Sequence, residues 1–327
     1  MTPSDLAALA ADLAAHPSIR GKRDIAVATG ALGVGPSDAG RPGDDAAALP
    51  RPEGGWDLFA AEAFIPAFVA DDPWFAGWCG VMVNLSDIAA MGGRATALTD
   101  MIWAPDAAAA APLLAGLRAA AAAYGVPIVG GHTNLAAPAL NLAVAVTGRA
   151  ERLISGHGAR PGDLLLAAID HRGAWRPRFD NWFAGDAPSE RLRGDLALLP
   201  TLAEEGLVDA GKDVSQGGIV GTALMLAECS GCGFEIELDA LPLPPGAEMA
   251  RWLRAFPSFG FLLSLDPARA GAVAAHFTAR GISAAIVGRA TDGSAVDLLA
   301  GGSAARFWDW RETPYLALGP APERAHA

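Results

Sequence analysis

Four short stretches of this 327-residue chain carry residue types that could do chemistry. Gly43-Asp44-Asp45 sets two carboxylates after a glycine, and Asn84-Leu85-Ser86-Asp87 leads to a glycine pair at Gly92-Gly93. Gly130-Gly131-His132-Thr133-Asn134 offers hydrogen-bonding side chains behind glycines that let a ligand approach the backbone. Asp213-Val214-Ser215-Gln216-Gly217-Gly218 supplies a further acid beside small residues. The separated acids read as one divalent-cation site assembled from distant parts of the chain. Magnesium takes oxygen ligands, and commonly only one or two are protein carboxylates, with phosphate and water completing the shell. The pattern therefore suits a metal–nucleotide complex better than a stand-alone metal cage. Glu62 joins the set because it interrupts the apolar run Leu58-Phe59-Ala60-Ala61-Glu62-Ala63-Phe64. A carboxylate in such a run is costly to bury unless it is paired or cation-bound.

These residues must be positioned by an alternation of helices and strands. Residues 6–15, 107–124, 194–205, 218–229 and 267–280 have helical character, with Ser4-Asp5 as an N-cap pair and Gly125 as a C-cap. Strands are expected at 24–28, 56–64, 80–84, 95–103, 126–130 and 140–148, then at 163–169, 234–238, 260–265 and 284–288. On this reading the 80–84 strand runs directly into a helix that Asp87 opens. Residues 29–41 are expected to form a loop. The fold class is α/β in layers, α+β in arrangement, with helices on one face of each sheet. A Gly/Pro cluster at 151–162 places the domain boundary so that residues 1–155 and 156–327 form separate domains. Residues 171–193 interleave Arg172, Arg176, Arg178, Arg191 and Arg193 with four aromatic side chains. That stretch is either a surface loop with aromatic anchors or a cover that brings guanidinium groups, Arg172, Arg176 and Arg178 among them, to an anionic small molecule.

Composition narrows the partners. The net charge of −12 leaves no basic stripe for nucleic acid. Neither a signal peptide nor a membrane-spanning run is read from the sequence, so no membrane partner and a cytoplasmic location are expected. Three cysteines make no disulfide framework, and Cys229-x-x-Cys232 is expected to be a pair of small buried residues. Lys22 and Lys212 are the only lysines. No G-x-x-x-x-G-K-[ST] or G-x-S-x-G motif occurs, and the histidines lack zinc-ligand spacing.

The four motifs, in this order over roughly residues 22–290, resemble the series of the PurM-like superfamily. That group includes AIR synthase, formylglycinamidine ribonucleotide synthase, thiamine-monophosphate kinase, selenide water dikinase and the hydrogenase maturation protein HypE. The resemblance implies an N-terminal domain that binds ATP and dimerises through its sheet, followed by a C-terminal α/β domain. It implies Asp45, Asp87 and Asp213 as ligands of Mg2+, with Asp44, Glu62 and Asn84 supporting the cofactor site. Gly130, Gly131, His132 and Thr133 would line the nucleotide, and Lys22 would reach the phosphates. His132 could also carry a proton. The implied activity is ATP-dependent activation of an oxygen of a small metabolite, as in a ligase or cyclase. A small-molecule kinase and a non-catalytic ATP-binding scaffold are the alternatives. Departures sharpen the placement. Ile19 stands where a selenide water dikinase has Cys or selenocysteine, and Gln216 and His132 replace acids of the kinase pattern. Glu62 stands where many members have Asp, and the chain ends Arg324-Ala325-His326-Ala327 without the cysteine that HypE chemistry requires. The chain is most similar to an uncharacterised AIR synthase-related branch.

Overall fold

A computed structural model describes residues 1–320; the C-terminal residues noted above lie outside the described residues. The chain starts with α1 (Pro3–Ala15), α2 (Pro17–Arg20), a 3-10 turn (Gly21–Arg23) and α3 (Asp24–Leu32). Thr2 and Asp5 form a reciprocal capping box on α1, so the cap lies two residues before the expected pair. Its Leu6, Ala10 and Leu13 are buried, an apolar stripe at helical spacing. The expected strand at 24–28 is instead the first half of α3, which Gly33 ends in the left-handed conformation. Nothing in α3 is buried, so no sheet neighbour competes with its local hydrogen bonds.

The chain forms two compact units. The smaller comprises Asp45–Leu153 and Gly185–Glu204, and the larger comprises Met1–Asp44, Ile154–Ala184 and the chain from Glu205 onward. This division differs from a single cut after residue 155. The chain does cross between units at Leu153/Ile154, but its first 44 residues pack with the later half. The stripe on α1 explains why: Leu6, Ala10 and Leu13 belong to the same core cluster as Phe234, Val296 and Phe307.

In the smaller unit β1 (Ala47–Pro50), β2 (Trp56–Ala63), β3 (Arg94–Trp103), β4 (Ile128–Asn134) and β5 (Asn141–Ala150) form one sheet in the order β1-β2-β5-β3-β4. All pairs are antiparallel except β3 with β4. Along β2 and β5, Leu58, Ala60, Leu142, Val144 and Val146 are buried, and the alternate residues are not. Helices α4 (Pro66–Asp71), α5 (Pro73–Ala90), α6 (Ala107–Tyr124), α7 (Ser189–Leu196) and α8 (Leu198–Glu204) complete the unit. Residues 80–84, expected as a strand, are mid-helix in α5. Pro73 at its first turn and Asp72, which accepts from the Phe75 N–H, start the helix seven residues earlier. Every residue from Phe75 to Ala90 is buried, so the sequence shows no amphipathic period that separates helix from strand. Contrary to the reading above, one helix, α6, is long and apolar enough to cross a membrane. Its Ala110, Leu113, Gly116, Leu117 and Ala120 form a buried stripe within the unit, and the rest of the helix is not buried. A β-carbon added to Gly116 would sit 2.0 Å from Trp74 O on α5, so the two helices approach at backbone distance.

The larger unit holds β6 (Leu164–Ile169), β7 (Ala174–Trp175), β8 (Asn181–Phe183), β9 (Ala210–Asp213), β10 (Gly233–Glu237), β11 (Phe256–Pro257), β12 (Gly260–Leu265), β13 (Ser283–Thr291), β14 (Ala295–Ala300) and β15 (Ser303–Asp309). Seven of them form a sheet in the order β15-β14-β10-β13-β6-β12-β9, and β11-β8-β7 form a small second one. With them run α9 (Gly218–Ser230), α10 (Met249–Trp252) and α11 (Pro267–Thr278). At the end of α9 the buried Glu228 carboxylate accepts the N–H groups of Tyr315, Leu316 and Ala317 at 3.1, 2.6 and 3.1 Å. Burial nevertheless pushes its pKa up, against those hydrogen bonds. The Tyr315 hydroxyl donates to Ile19 O at 2.8 Å, which ties the far end of the chain to the N-terminal helices.

Candidate functional site

The structure changes the setting of Asp87. It lies in the last turn of α5, not at a helix entrance. The C-terminal end of a helix carries its negative partial charge, so the dipole disfavours a carboxylate there. Asp87 is 5% exposed and Asn84, one turn earlier, is 0% exposed. Asn84 Nδ2 donates to Gly80 O at 2.8 Å, whereas its Oδ1 is buried with no hydrogen-bond partner among the described residues. A buried carboxylate at the negative helix end, beside a buried oxygen that lacks a donor, is a place that favours a cation. The donor chemistry is hard oxygen, which fits magnesium. Among the described residues no three His, Cys, Asp or Glu side chains gather as a ready metal cage.

Other expected residues of the smaller unit flank the sheet. Asp45 is half-buried just before β1, and Glu62 is exposed near the end of β2. Gly130, Gly131, His132 and Thr133 are exposed on β4, an edge strand of the sheet, longer than the expected 126–130 segment. In register, Gly131 lies beside Asp100 and His132 beside Met101. Asp100, which the sequence reading passed over, shares the inward side of β3 with Leu98 and Ile102, and burial pushes its carboxyl above the ordinary value.

The larger unit holds Asp44, Asp213 and Lys22. Asp213 is the last residue of β9 and is 4% exposed, and Lys22 is half-buried in the 3-10 turn. Asp44 is the centre of a network. Its Oδ1 accepts from Ser155 Oγ at 2.9 Å and from the Gly156 N–H at 2.6 Å, and Arg41 Nε lies 3.3 Å from its Oδ2. Arg41 Nη2 also donates to Ser155 Oγ at 3.0 Å. Burial raises the Asp44 pKa, while the charges of Lys212 and His157 and the two hydrogen bonds pull it down. Lys212 is 3% exposed and donates from Nζ to Gly43 O at 2.9 Å. The ring nitrogens of His157 lie 3.0 Å from Pro42 O and 3.0 Å from Cys229 O. Gly43 has φ of 105°, and an added β-carbon would meet Cys229 Sγ at 2.8 Å and His157 Nε2 at 3.0 Å. Only glycine fits there. Behind this loop Gly35, Pro36, Ser37, Asp38, His157, Cys229 and Pro320 line a cavity of about 490 Å³.

Arg41, Ser155 and His157 are not among the residues the motifs point to, and Lys212 stands out in the sequence by its rarity. Lys212 could have been found from its place before Asp213. Ser155 and His157 sit in a Gly-containing turn without a local signal. Cys229 and Cys232 are buried as expected, and burial pushes the Cys232 thiol up to about 12.

The arginine-rich stretch is anchored. Trp182 and Phe183 are buried in β8, Trp175 packs edge-on to Trp182, and Arg251 lies 3.9 Å over the Trp175 ring. Arg251 and Arg254 both hold Asp180, at 2.9 and 3.3 Å. Arg172 is engaged by Asp170 at 2.7 Å and by Arg280 O at 2.9 Å, so its guanidinium serves the chain's own packing. Arg176 lies 5.9 Å from the Phe183 ring centroid, and Arg178 has φ of 69°. Residues 185–193 belong to the smaller unit, where Arg193 donates to Ala122 O and Ala123 O at the end of α6.

Two family descriptions match the chain: the N-terminal domain of AIR synthase related protein over residues 43–150, and its C-terminal domain over residues 169–300. The chain belongs to the AIR synthase-related family. It is a member of the PurM-like superfamily that the motif order resembles. An uncharacterized protein of Synechocystis sp. is 46% identical to this AIR synthase-related chain over 283 residues, covering 86% of it and 88% of that protein. The thiamine-monophosphate kinase of Halobacterium salinarum is 29% identical over 210 residues, covering 62% and 70%. T. maritima PurL complexed with ATP shares the fold with a TM-score of 0.70 at 18% identity. That match covers 88% of this chain and 47% of the PurL chain, so the AIR synthase-related chain spans about half the length of that protein.

Proposed function

We propose that this chain binds ATP with Mg2+ and uses it to activate an oxygen of a small metabolite, in the manner of a ligase or cyclase. The single observation that carries the reading is the buried Asn84–Asp87 turn at the C-terminal end of α5. Membership of the AIR synthase-related family and a fold shared with PurL, a protein solved in complex with ATP, support it. Asp87, Asp45 and Asp213 would hold the metal, with Asn84, Asp44 and Glu62 supporting. When bound, Mg2+ neutralises phosphate charge and so makes phosphoryl transfer to the substrate oxygen easier.

The chain's own groups would position the reactants. Gly130, Gly131 and Thr133 present an open strand edge and a hydroxyl to the nucleotide. Lys22 would contact phosphate, and His132 would accept or return a proton. Such transfer relies on positioning and charge neutralisation, which these groups supply without a covalent intermediate on the protein. A kinase reading has support in the thiamine-monophosphate kinase match; it would leave the phosphoryl group on the product. The chain would act as a homodimer. Leu49, Phe59 and Trp103, on the face of the smaller unit's sheet away from Leu58, Ala60 and Ile102, are 49%, 52% and 36% exposed, and a second copy would cover them.

Thermal-shift measurement with ATP, with and without Mg2+, tests the reading. Wild-type protein should melt higher with both together, and Asp87→Asn and Asp213→Asn should lose that rise with their ligand-free melting intact. An unchanged rise in both variants would remove the metal assignment. Absence of any rise in wild-type protein would remove the nucleotide reading itself.

A further inference from the structure

We propose that Lys212 is the positioning residue of this site: it locks the Gly43-Asp44-Asp45 loop to the strand that ends in Asp213. The proposal rests on the ATP–magnesium reading above for its functional consequence, and on the larger unit's geometry for the lock itself. Lys212 is one of two lysines in a chain that otherwise uses arginine. It is 3% exposed, a burial that an ammonium group tolerates only with well-placed acceptors. Its Nζ donates to Gly43 O at 2.9 Å, and its charge acts on the neighbouring Asp44 carboxylate.

The turn at Gly156 brings the two groups to one place. A β-carbon there would lie 3.3 Å from Asp44 Oδ1 and 3.4 Å from Lys212 Nζ, so glycine leaves the space in which they face each other. By its backbone Lys212 is fixed in β9, in register with Leu262, and Asp213 follows in register with Phe261. The side chain and the backbone of one residue therefore connect two of the three acidic motifs. Asp44 extends the lock to Ser155 and Gly156, and His157 extends it to the end of α9. Lysine suits the place as a compact point charge on a flexible stem, whereas arginine would bring a wider planar fork into the same buried space.

The test compares wild-type protein with Lys212→Met and Lys212→Gln, the latter a polar side chain too short to reach Gly43 O. Amide hydrogen exchange over residues 41–46 reads the lock directly. ATP affinity measured across a series of Mg2+ concentrations reads its consequence. Both variants should exchange at least about tenfold faster over that loop. They should bind ATP about tenfold or more weakly and need more Mg2+ to reach half-saturation, whereas a merely structural role would lower melting without moving the Mg2+ requirement. Should Lys212→Met fail to fold, Lys212→Gln decides alone. Loop exchange and Mg2+–ATP binding at wild-type values in a folded variant would overturn the proposal. Wild-type protein that binds no ATP would instead overturn the functional reading, and the exchange measurement would still judge the lock.

Discussion

The acids of the two units, alike as letters in the sequence, are treated in opposite ways by the fold. In the larger unit Asp44 is enclosed by its own chain: Ser155, the Gly156 N–H, Arg41 and the charge of Lys212 all answer it. In the smaller unit Asp87 is buried at the negative end of α5, beside an Asn84 oxygen that no donor reaches among the described residues. The first arrangement stabilises a loop. The second is a setting that a cation improves. Motif spacing alone assigns the two acids the same kind of task, and the place of each carboxylate in its own unit separates them.

Charge-removing variants test this contrast with the largest expected effect. Asp44→Ala takes a carboxylate away from the buried Lys212 and leaves Ser155 and the Gly156 N–H without their acceptor, a loss of about 3 kcal/mol or more. Asp87→Asn removes a charge from an unfavourable place and should change ligand-free stability by less than about 1 kcal/mol, while abolishing the Mg2+–ATP response. Urea unfolding of both variants measures the difference. Equal losses would dissolve the distinction between an acid that supports the site by holding its loop and one that would hold the metal directly.

Much of this was legible in the sequence. The α6 helix and its Gly125 cap, and strands β2, β3, β5, β6 and β12, fall where period and turn chemistry place them, because each is half-buried or bounded by a strong signal. Helix α5 was not legible, since burial on all sides erases the period that distinguishes a helix from a strand. The strand expected at 24–28 failed for the opposite reason: no residue of α3 is buried, and no packing constraint marks its sequence. Strands β14 and β15 were overlooked among short polar–apolar alternations near the end. The acids Asp44, Asp87 and Asp213 stood out, whereas Ser155 and His157 reach the Asp44 loop across more than a hundred residues and leave no local trace.

The contact between α5 and α6 sharpens the comparison from the smaller unit's side. Gly116 brings α6 to within backbone distance of Trp74, and any side chain there pushes the helix that carries Asn84 and Asp87. Gly116→Val should cost about 2–3 kcal/mol by overpacking. It should also weaken Mg2+–ATP stabilisation although residue 116 bears no polar group, and calorimetry with and without nucleotide reads both. An unchanged nucleotide response in a destabilised protein would show that the Asn84–Asp87 turn tolerates movement of its helix.

Asp100 offers a smaller effect with a defined sign. Its folded pKa is raised by burial, so the native state holds a proton that the unfolded chain releases. Stability from this group is therefore full below the ordinary carboxylate value near 3.8 and falls as pH rises through the raised folded value. Asp100→Asn removes that fall. Because the side chain is partly solvated, the gain at pH 7 should be under about 1 kcal/mol, and it should vanish near pH 3. Urea midpoints at the two pH values measure it. A variant less stable than wild type at pH 7 would mean that the ionised Asp100 is favoured by a partner and belongs with Asp44 instead of with the strained acids.

The thiols should show the least difference between the units. Cys79 in α5 and Cys229 and Cys232 around the end of α9 are 2%, 4% and 1% exposed, and the Cys232 thiol is pushed up to about 12. Burial blocks access to all three, and at Cys232 it also withholds the thiolate, the reactive form. A disulfide-exchange reagent at pH 8 should therefore label none of the three in the folded protein within minutes and all three in urea. Cys229 is the informative one, because it lines the cavity beside the Asp44 loop and its sulfur touches the space Gly43 leaves open. Labelling of Cys229 alone in the native protein would show that the loop opens on its own, and the enclosure that sets Asp44 apart from Asp87 would then be an equilibrium property of that loop instead of a fixed one.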